Sequence, residues 1–180
     1  FTDPFEQVLG WGQSADDEGS LAVAGGQLTI AIHKFGYYRF SIWGGPVLTD
    51  GTAQVTAAPT ACSGRDEYAL LFRYQDAQNH YRFAFSCNGQ AQLARVQAGE
   101  TTAVQDWTPY PAIQSGPGVS NTLLVRFSGA DMRFYANGQY LFSAQDSALA
   151  AGTVGLYARA VDSNTLSVSF DNLAARRVTP

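Results

Sequence analysis

Charged residues are scarce in this sequence, and their scarcity limits the partners that the protein can have. Only 14% of the 180 residues are charged, and the net charge is −4. Binding of nucleic acid or of an anionic membrane surface needs an excess of positive charge, so neither partner is expected. Long apolar runs are also lacking, since none approaches the roughly 20 residues of a membrane helix, and we expect no membrane insertion.

Histidine and cysteine are represented by two residues each, which limits metal and nucleophile chemistry. Neither His33 nor His80 has a Ser, Cys or Asp pattern beside it that would mark a catalytic nucleophile and its base. Two cysteines and these two histidines also lack the spacing of a zinc site. Cys62 and Cys87 each lie beside a turn instead, and we expect a disulfide between them. Two buried free thiols are the alternative.

A disulfide is typical of proteins that fold in an oxidising compartment. The sequence also starts at Phe1 rather than at Met, which is consistent with a processed chain. Both features predict an exported protein that is extracellular or lies on the cell surface.

Short strands, rather than helices, dominate the pattern of apolar residues. Alternating runs recur about every ten residues and are separated by turns rich in Gly and Asn. About a dozen strands without crossover helices predict an all-β fold, an antiparallel two-sheet sandwich. One helical turn is expected at 147–151. No linker divides the chain, so we expect a single domain over 1–180, with an irregular segment 1–19 that wraps its edge and a loop 108–120 that joins the sheets.

The middle of the chain contains three consecutive strands whose turns predict a row of arginines. Turn registers at 76–79 and 88–89 place Arg73 opposite Arg82, and Arg82 opposite Arg95. Like charges opposite each other destabilise a sheet, so such a row needs a ligand, carboxylates or solvent. Arginine can hold a sugar carboxylate or sulfate through two parallel bonds, and we therefore predict a ligand site. Pairing with the protein's own acidic residues is the alternative.

The opposite face of the same strands is aromatic and predicts the core. Tyr74 belongs to this face by its alternation with Tyr68, Leu70 and Phe72. Six residues of the predicted core are expected to be fully buried: Phe72, Phe83, Phe85, Val125, Phe127 and Phe134.

A second arginine pair is expected on another hairpin. Arg126 and Arg133 lie opposite each other across a Gly-Ala turn, and Tyr135, Tyr140 and Phe142 are predicted to share their face. This surface is a second candidate for ligand binding, or for packing against a neighbouring domain.

Several aromatic residues at strand ends are candidates for contact with sugars, because flat apolar sugar faces stack on aromatic rings. Trp43 ends a strand ahead of a Gly-Gly-Pro run, and Trp107 ends another ahead of Tyr110, which two prolines flank. Trp11 is a further candidate. Packing at the ends of the sandwich is the alternative for each.

Segments 68–76, 79–83, 134–138 and 170–173 together resemble the concanavalin A-like sandwich domains of exported bacterial proteins. Among these, the sequence is most similar to the 3-keto-disaccharide hydrolase domain and to laminin-G-like modules. The resemblance implies a jelly roll with a concave face that often binds carbohydrate. Retaining glycosidases of this fold resemble one another in a Glu-x-Asp-x-x-Glu motif with two carboxylates about 5 Å apart. This sequence lacks that motif.

The resemblance also implies a structural calcium ion near the joined termini. Asp3, Asp171 and Asn172 supply the matching ligand types. An ordinary hydrogen-bonded turn is the alternative, and no other cofactor is expected.

These features together predict a non-catalytic extracellular binding module, with a glycan as the ligand on the concave sheet face. A structural or protein-interaction role is the second hypothesis, with neighbouring domains or copies of the same chain as partners. A carbohydrate-active hydrolase is the third.

Overall fold

A computed structural model describes residues 1–5 and 10–178, and this part of the chain forms fifteen β-strands and no helix. The strands in chain order are β1 (Thr2–Asp3), β2 (Ser14–Asp16), β3 (Gly19–Ala24), β4 (Gln27–Ile32), β5 (Tyr38–Ile42), β6 (Gly51–Ala61), β7 (Glu67–Asp76), β8 (Asn79–Ser86), β9 (Gln90–Gln97), β10 (Glu100–Pro109), β11 (Asn121–Ser128), β12 (Asp131–Ala136), β13 (Gln139–Gln145), β14 (Thr153–Arg159) and β15 (Leu166–Arg177). In the described residues there is accordingly no helix with the length and apolarity needed to cross a membrane.

The strands form two antiparallel sheets, as the alternation predicts. Nine strands of the described chain make one sheet in the order β13-β12-β11-β6-β15-β4-β3-β2, with β1 paired to β15. Six make the other in the order β10-β9-β8-β7-β14-β5. Strands that are neighbours in a sheet are often distant in sequence. For example, β6 lies between β11 and β15, and β14 lies between β7 and β5. The expected antiparallel sandwich is confirmed.

An aromatic core fills the space between the sheets. Phe72 stacks on Tyr81 of its own sheet at 5.3 Å and on Phe127 of the other sheet at 5.5 Å between ring centroids. All six residues predicted to be fully buried are buried, the most exposed being Phe127 at 3%. This part of the prediction is confirmed, because burial of one face follows directly from strand alternation.

A disulfide joins the two sheets at one end of the sandwich. Cys62 follows β6 and Cys87 follows β8, and their Cα atoms lie 6.0 Å apart. The backbone N–H of Cys87 also donates to the carbonyl of Asp66, at 2.8 Å. The expected bond between these cysteines is therefore present.

Segment 147–151 does not form the predicted helical turn. Its N–H groups donate to side chains instead, that of Ala148 to Asp146 Oδ1 at 2.9 Å and that of Leu149 to the Tyr81 hydroxyl at 3.3 Å. Leu149 is 4% exposed and belongs to the core. Because side chains accept from these two N–H groups, the segment forms no helical turn.

The loop after β10 connects the six-stranded sheet to β11 of the nine-stranded sheet, as predicted. In the N-terminal segment, β1 pairs with β15, and β2 pairs with β3 and forms the edge of the sheet. Residues 6–9 of that segment lie outside the described part of the chain.

Candidate functional site

The predicted row of three arginines is wrong, and a β-bulge at Arg73 is the first reason. Asp76 pairs with Asn79 as expected, but the register then shifts, so that Arg82 lies opposite Leu71. Arg73 has a left-handed backbone with φ of 46°. Gly152 packs directly on this backbone, since a Cβ there would lie 2.2 Å from the Arg73 carbonyl carbon. The bulge turns the Arg73 side chain away from the face that carries Arg82.

Arg73 is a structural residue that ties three loops together. It is 1% exposed, and its guanidinium donates to the carbonyls of Leu149 at 3.1 Å, Thr49 at 2.9 Å and Gly129 at 2.8 Å. The same group lies 5.1 Å from the centre of the Phe127 ring. Its Nη1 and Nη2 groups are therefore committed to the protein's own backbone, whereas its Nε has no hydrogen-bond partner among the described residues.

Arg95 does not lie in the predicted row, because the turn between β8 and β9 is longer than expected. Phe85 pairs with Ala91, so the loop at 87–89 has three residues rather than the two that were expected. Gly89 adopts φ of 84°, as such loops require at their last position. A shift of one residue reverses the face of every side chain that follows. Arg95 consequently lies opposite Tyr81, on the core side of the sheet.

At that position Arg95 is paired with Asp146. Its Nη1 lies 2.5 Å from Asp146 Oδ2, and the Tyr81 hydroxyl donates to Asp146 Oδ1 at 2.6 Å. Burial acts to raise the pKa of Asp146, but the bonds from Tyr81 and Ala148 and the charge of Arg95 hold it below its ordinary value. Both arginines at the ends of the predicted row are thus occupied within the protein.

Of the three arginines in the predicted row, only Arg82 faces outward from the six-stranded sheet, and we call this surface the groove face. A groove of about 370 Å³ lies here, and its lining includes Tyr38, Phe40, Arg82, Tyr157 and Arg159. These side chains come from β5, β8 and β14, which the topology brings together around β7. The groove face is therefore the best candidate site.

An exposed aromatic platform forms one side of the groove. Tyr38 is 55% exposed and stacks on Tyr157, with ring centroids 5.7 Å apart. The ring of Phe40 lies 6.3 Å from that of Tyr38 and nearly parallel to it. The Arg82 guanidinium lies 4.7 Å above the Tyr157 ring. Rings and a cation are thus placed side by side at the surface.

A buried carboxyl group lies beneath this platform, under the influence of two arginines. Tyr38, Arg159 and Glu67 follow one another across β5, β14 and β7. Glu67 is only 5% exposed, and within the described chain neither its Oε1 nor the Nε of Arg82 has a hydrogen-bond partner. Burial raises the pKa of Glu67, while Arg82, Arg159 and the Tyr157 hydroxyl partly oppose the rise. Polar atoms without partners are unusual inside proteins, but the Nε atoms of Arg73 and Arg95 share this property, so it does not by itself mark a ligand site.

Tyr74 and His80 extend the groove face at one end. Tyr74 was predicted in the core, but beyond the bulge it packs beside Phe40 at 6.2 Å and stacks on His80 at 5.5 Å. Burial lowers the pKa of His80, so its ring is neutral at physiological pH.

The other predicted sugar contacts lie in separate places. Trp107 is half-buried on the groove face and packs against its apolar cluster, which consists of Ala69, Leu71, Ala84 and Tyr157. Tyr110 stacks on Phe142 at 6.0 Å and covers the end of the core. Trp43 is stacked on Phe1 at 3.6 Å and fills the space over Gly45. Of these three residues, only Trp107 shares a face with Arg82.

The expected calcium ligands are engaged in local hydrogen bonds. Asp3 pairs with Leu173 and accepts the Phe5 N–H and the Trp11 indole N–H, both at 2.7 Å. Asp171 Oδ1 accepts the N–H of Asn172 at 2.6 Å. Over residues 1–5 and 10–178, no three His, Cys, Asp or Glu side chains are grouped as a metal site would need. Calcium binding stays a prediction.

Known protein-family models and curated protein sequences give no match to this chain. Solved structures do match. The carbohydrate binding module CBM66 from Bacillus subtilis has a TM-score of 0.70 and 19% identity, over 93% of this chain and 95% of that one. The beta-glucanase of Bacillus licheniformis has a TM-score of 0.72 and 10% identity, over 99% and 98%. The chain has a concanavalin A-like jelly-roll fold.

A third jelly roll of similar extent is a protein of unknown function with a galectin-like fold from Bacillus subtilis. It has a TM-score of 0.70 and 12% identity, over 99% of this chain and 96% of that one. At identities this low the likeness shows the fold alone, because one fold hosts many functions. The function of this chain therefore depends on the side chains that line the groove, and not on the fold.

Sequence reasoning missed Tyr38, Phe40, Glu67, Tyr157 and Arg159 as site residues. Alternation within β5 and β14 places Tyr38 with Phe40, and Tyr157 with Arg159, on one face each. No local signal indicates that β14 inserts between β7 and β5, both of which end 77 or more residues before β14 begins. The missing information was the pairing of distant strands.

Proposed function

We propose that this jelly roll is a non-catalytic, exported binding module whose ligand is a glycan lying in the groove. The observation that carries the proposal is the exposed Tyr38 ring, stacked on Tyr157 beside the guanidinium of Arg82. An aromatic ring can cover the apolar face of a sugar while guanidinium donors bind its hydroxyl oxygens. The fold neighbour described as a carbohydrate binding module supports this ligand class. The disulfide supports an oxidising, extracellular location.

The distribution of carboxylates favours binding over glycoside hydrolysis. Retaining glycosidases use two carboxylates about 5 Å apart. Among the described residues that line the groove there is no Asp or Glu, and Glu67 beneath them is a single carboxylate with a raised pKa. This arrangement supports a sugar-holding site. Contacts with neighbouring domains or with copies of the chain stay a prediction.

The experiment is a glycan array followed by calorimetric titration of the best ligand. We expect Tyr38→Ala to weaken binding about tenfold, because it removes a stacking surface worth roughly 0.5–1.5 kcal/mol beyond the apolar area that it covers. Tyr140→Ala is the matched control, since Tyr140 is 57% exposed on the other sheet. Equal affinities for the Tyr38 variant and the wild type would place the ligand elsewhere and reject this site.

A further inference from the structure

Three arginines form a row on the outer face of the nine-stranded sheet, and we call this surface the arginine face. Arg133 of β12 lies opposite Arg126 of β11, Arg126 lies opposite Thr52 of β6, and Thr52 lies opposite Arg176 of β15. Neighbouring strands are about 4.8 Å apart, so the row extends for about 14 Å. The predicted opposition of Arg126 and Arg133 is confirmed.

The aromatic residues expected on this face divide between the two sides of the sheet. Tyr135 and Tyr140 do lie on the outer side and pack edge to face at 5.8 Å. Phe142 does not, because it pairs with Phe134 and is 8% exposed in the core. A register shift between Phe134 and Tyr135 accounts for the difference.

Among the described residues, no carboxylate forms an ion pair with the arginines of the row. Within residues 1–5 and 10–178, no carboxylate lies within 4.0 Å of the guanidinium of Arg126, Arg133 or Arg176, whereas Arg39, Arg65, Arg73 and Arg95 each have one. Asp131, the nearby acid, accepts a bond from the Gln145 amide at 2.7 Å. Directly opposed like charges destabilise a sheet, so the Arg126–Arg133 pair acts against stability. A chain with a net charge of −4 has no general excess of cations that would explain it.

The surface around the row is shaped as two adjoining grooves. Each has a volume of about 410 Å³, and both are lined by Thr52, Arg126 and Val178. Arg133 lines one groove, and Arg176 with Arg177 lines the other. Arg126 is held between them with its guanidinium 5.2 Å from the centre of the Tyr135 ring. The cations therefore follow one continuous depression across the strands.

We propose that the arginine face binds an anionic polysaccharide that crosses the strands, with its carboxylate or sulfate groups paired to Arg133, Arg126 and Arg176. Guanidinium groups bind such anions through two parallel hydrogen bonds. Cations spread over this length suit a chain with repeated charges better than one small anion. Thr52 and Gln54 in the same depression offer hydrogen bonds to sugar hydroxyls. This site lies on the opposite sheet from the groove and is independent of it.

The test is a titration of the whole chain with polygalacturonate, which carries carboxylates, with dextran sulfate, and with uncharged dextran. We expect at least one charged polymer to bind, with an affinity that falls as the salt concentration is raised. Dextran should bind more weakly than that polymer. The charged polymer that binds more tightly identifies the anion. Arg126→Met and Arg176→Met should each weaken that binding about tenfold, because each removes at least one charge-assisted hydrogen bond.

Arg65→Met is the matched control, because it removes the same charge from an exposed side chain elsewhere, and it should leave the affinity within about twofold. Arg126→Met should keep or raise the melting temperature, since it relieves the repulsion with Arg133. The proposal is rejected if neither charged polymer binds, or if Arg65→Met weakens binding as much as the two row variants. Tighter binding of polyglutamate than of both polysaccharides would also reject it, in favour of an acidic protein partner.

Discussion

Replacing Arg73 by Met should strongly destabilise the protein without removing any contact to the proposed glycan. The substitution deletes three hydrogen bonds from a guanidinium that is 1% exposed, and it leaves the carbonyls of Leu149, Thr49 and Gly129 without their donor. Met fills much of the same volume, so the packing against Phe127 is largely kept.

The magnitude follows from these contacts. Hydrogen bonds to a charged group contribute roughly 1.5–3 kcal/mol each, and the desolvation of the buried guanidinium offsets part of their sum. We expect the free energy of unfolding to fall by about 3–5 kcal/mol, as when one member of a buried charged pair is removed. At about 2–4 °C per kcal/mol for a chain of this size, the melting temperature should fall by about 10 °C.

Urea unfolding followed by tryptophan fluorescence measures this change directly. Arg82→Met is the informative comparison, because Arg82 is half-buried and its Nε has no hydrogen-bond partner among the described residues. We expect that variant to change the unfolding free energy by less than about 1 kcal/mol and to lose glycan affinity. A loss below about 1 kcal/mol for Arg73→Met would refute the assignment of Arg73 as a structural residue.

Three further outcomes are expected. Burial raises the pKa of Glu67 above its ordinary 4.5, so as the pH rises the Glu67 carboxyl ionises in the unfolded chain before it does in the folded one, and the free energy of unfolding falls. Glu67→Gln should therefore have the same urea midpoint as the wild type at about pH 4 and a higher one at about pH 7. The same difference in midpoint at both pH values would contradict this. Reduction of the Cys62–Cys87 bond, which spans 25 residues, should remove about 3 kcal/mol, and mass spectrometry after alkylation of unreduced protein should find no free thiol. Phe83→Ala should lower the unfolding free energy by about 3–5 kcal/mol, and a loss under about 1 kcal/mol would show that the core collapses around the gap.

The strand content, the two-sheet architecture and most of the core were predictable from the order of the residues. Alternation of apolar side chains is a local property with a period of two residues, and it assigns Phe72, Phe83 and Phe134 to the buried face whatever their partners are. The disulfide was predictable because only two cysteines occur. The opposition of Arg126 and Arg133 was predictable because a short, regular turn connects their strands.

Which side chains share a site depends on the pairing of distant strands and on irregularities within them. Two local irregularities, the bulge at Arg73 and the three-residue turn at 87–89, moved Arg73 and Arg95 away from Arg82. The insertion of β14 between β5 and β7 brought Tyr38 and Tyr157 beside Arg82. Alternation does not encode register, and a shift of one residue costs little locally while it reverses every side chain beyond it. Only the packing of distant segments, such as Gly152 against the Arg73 backbone, selects one register over another.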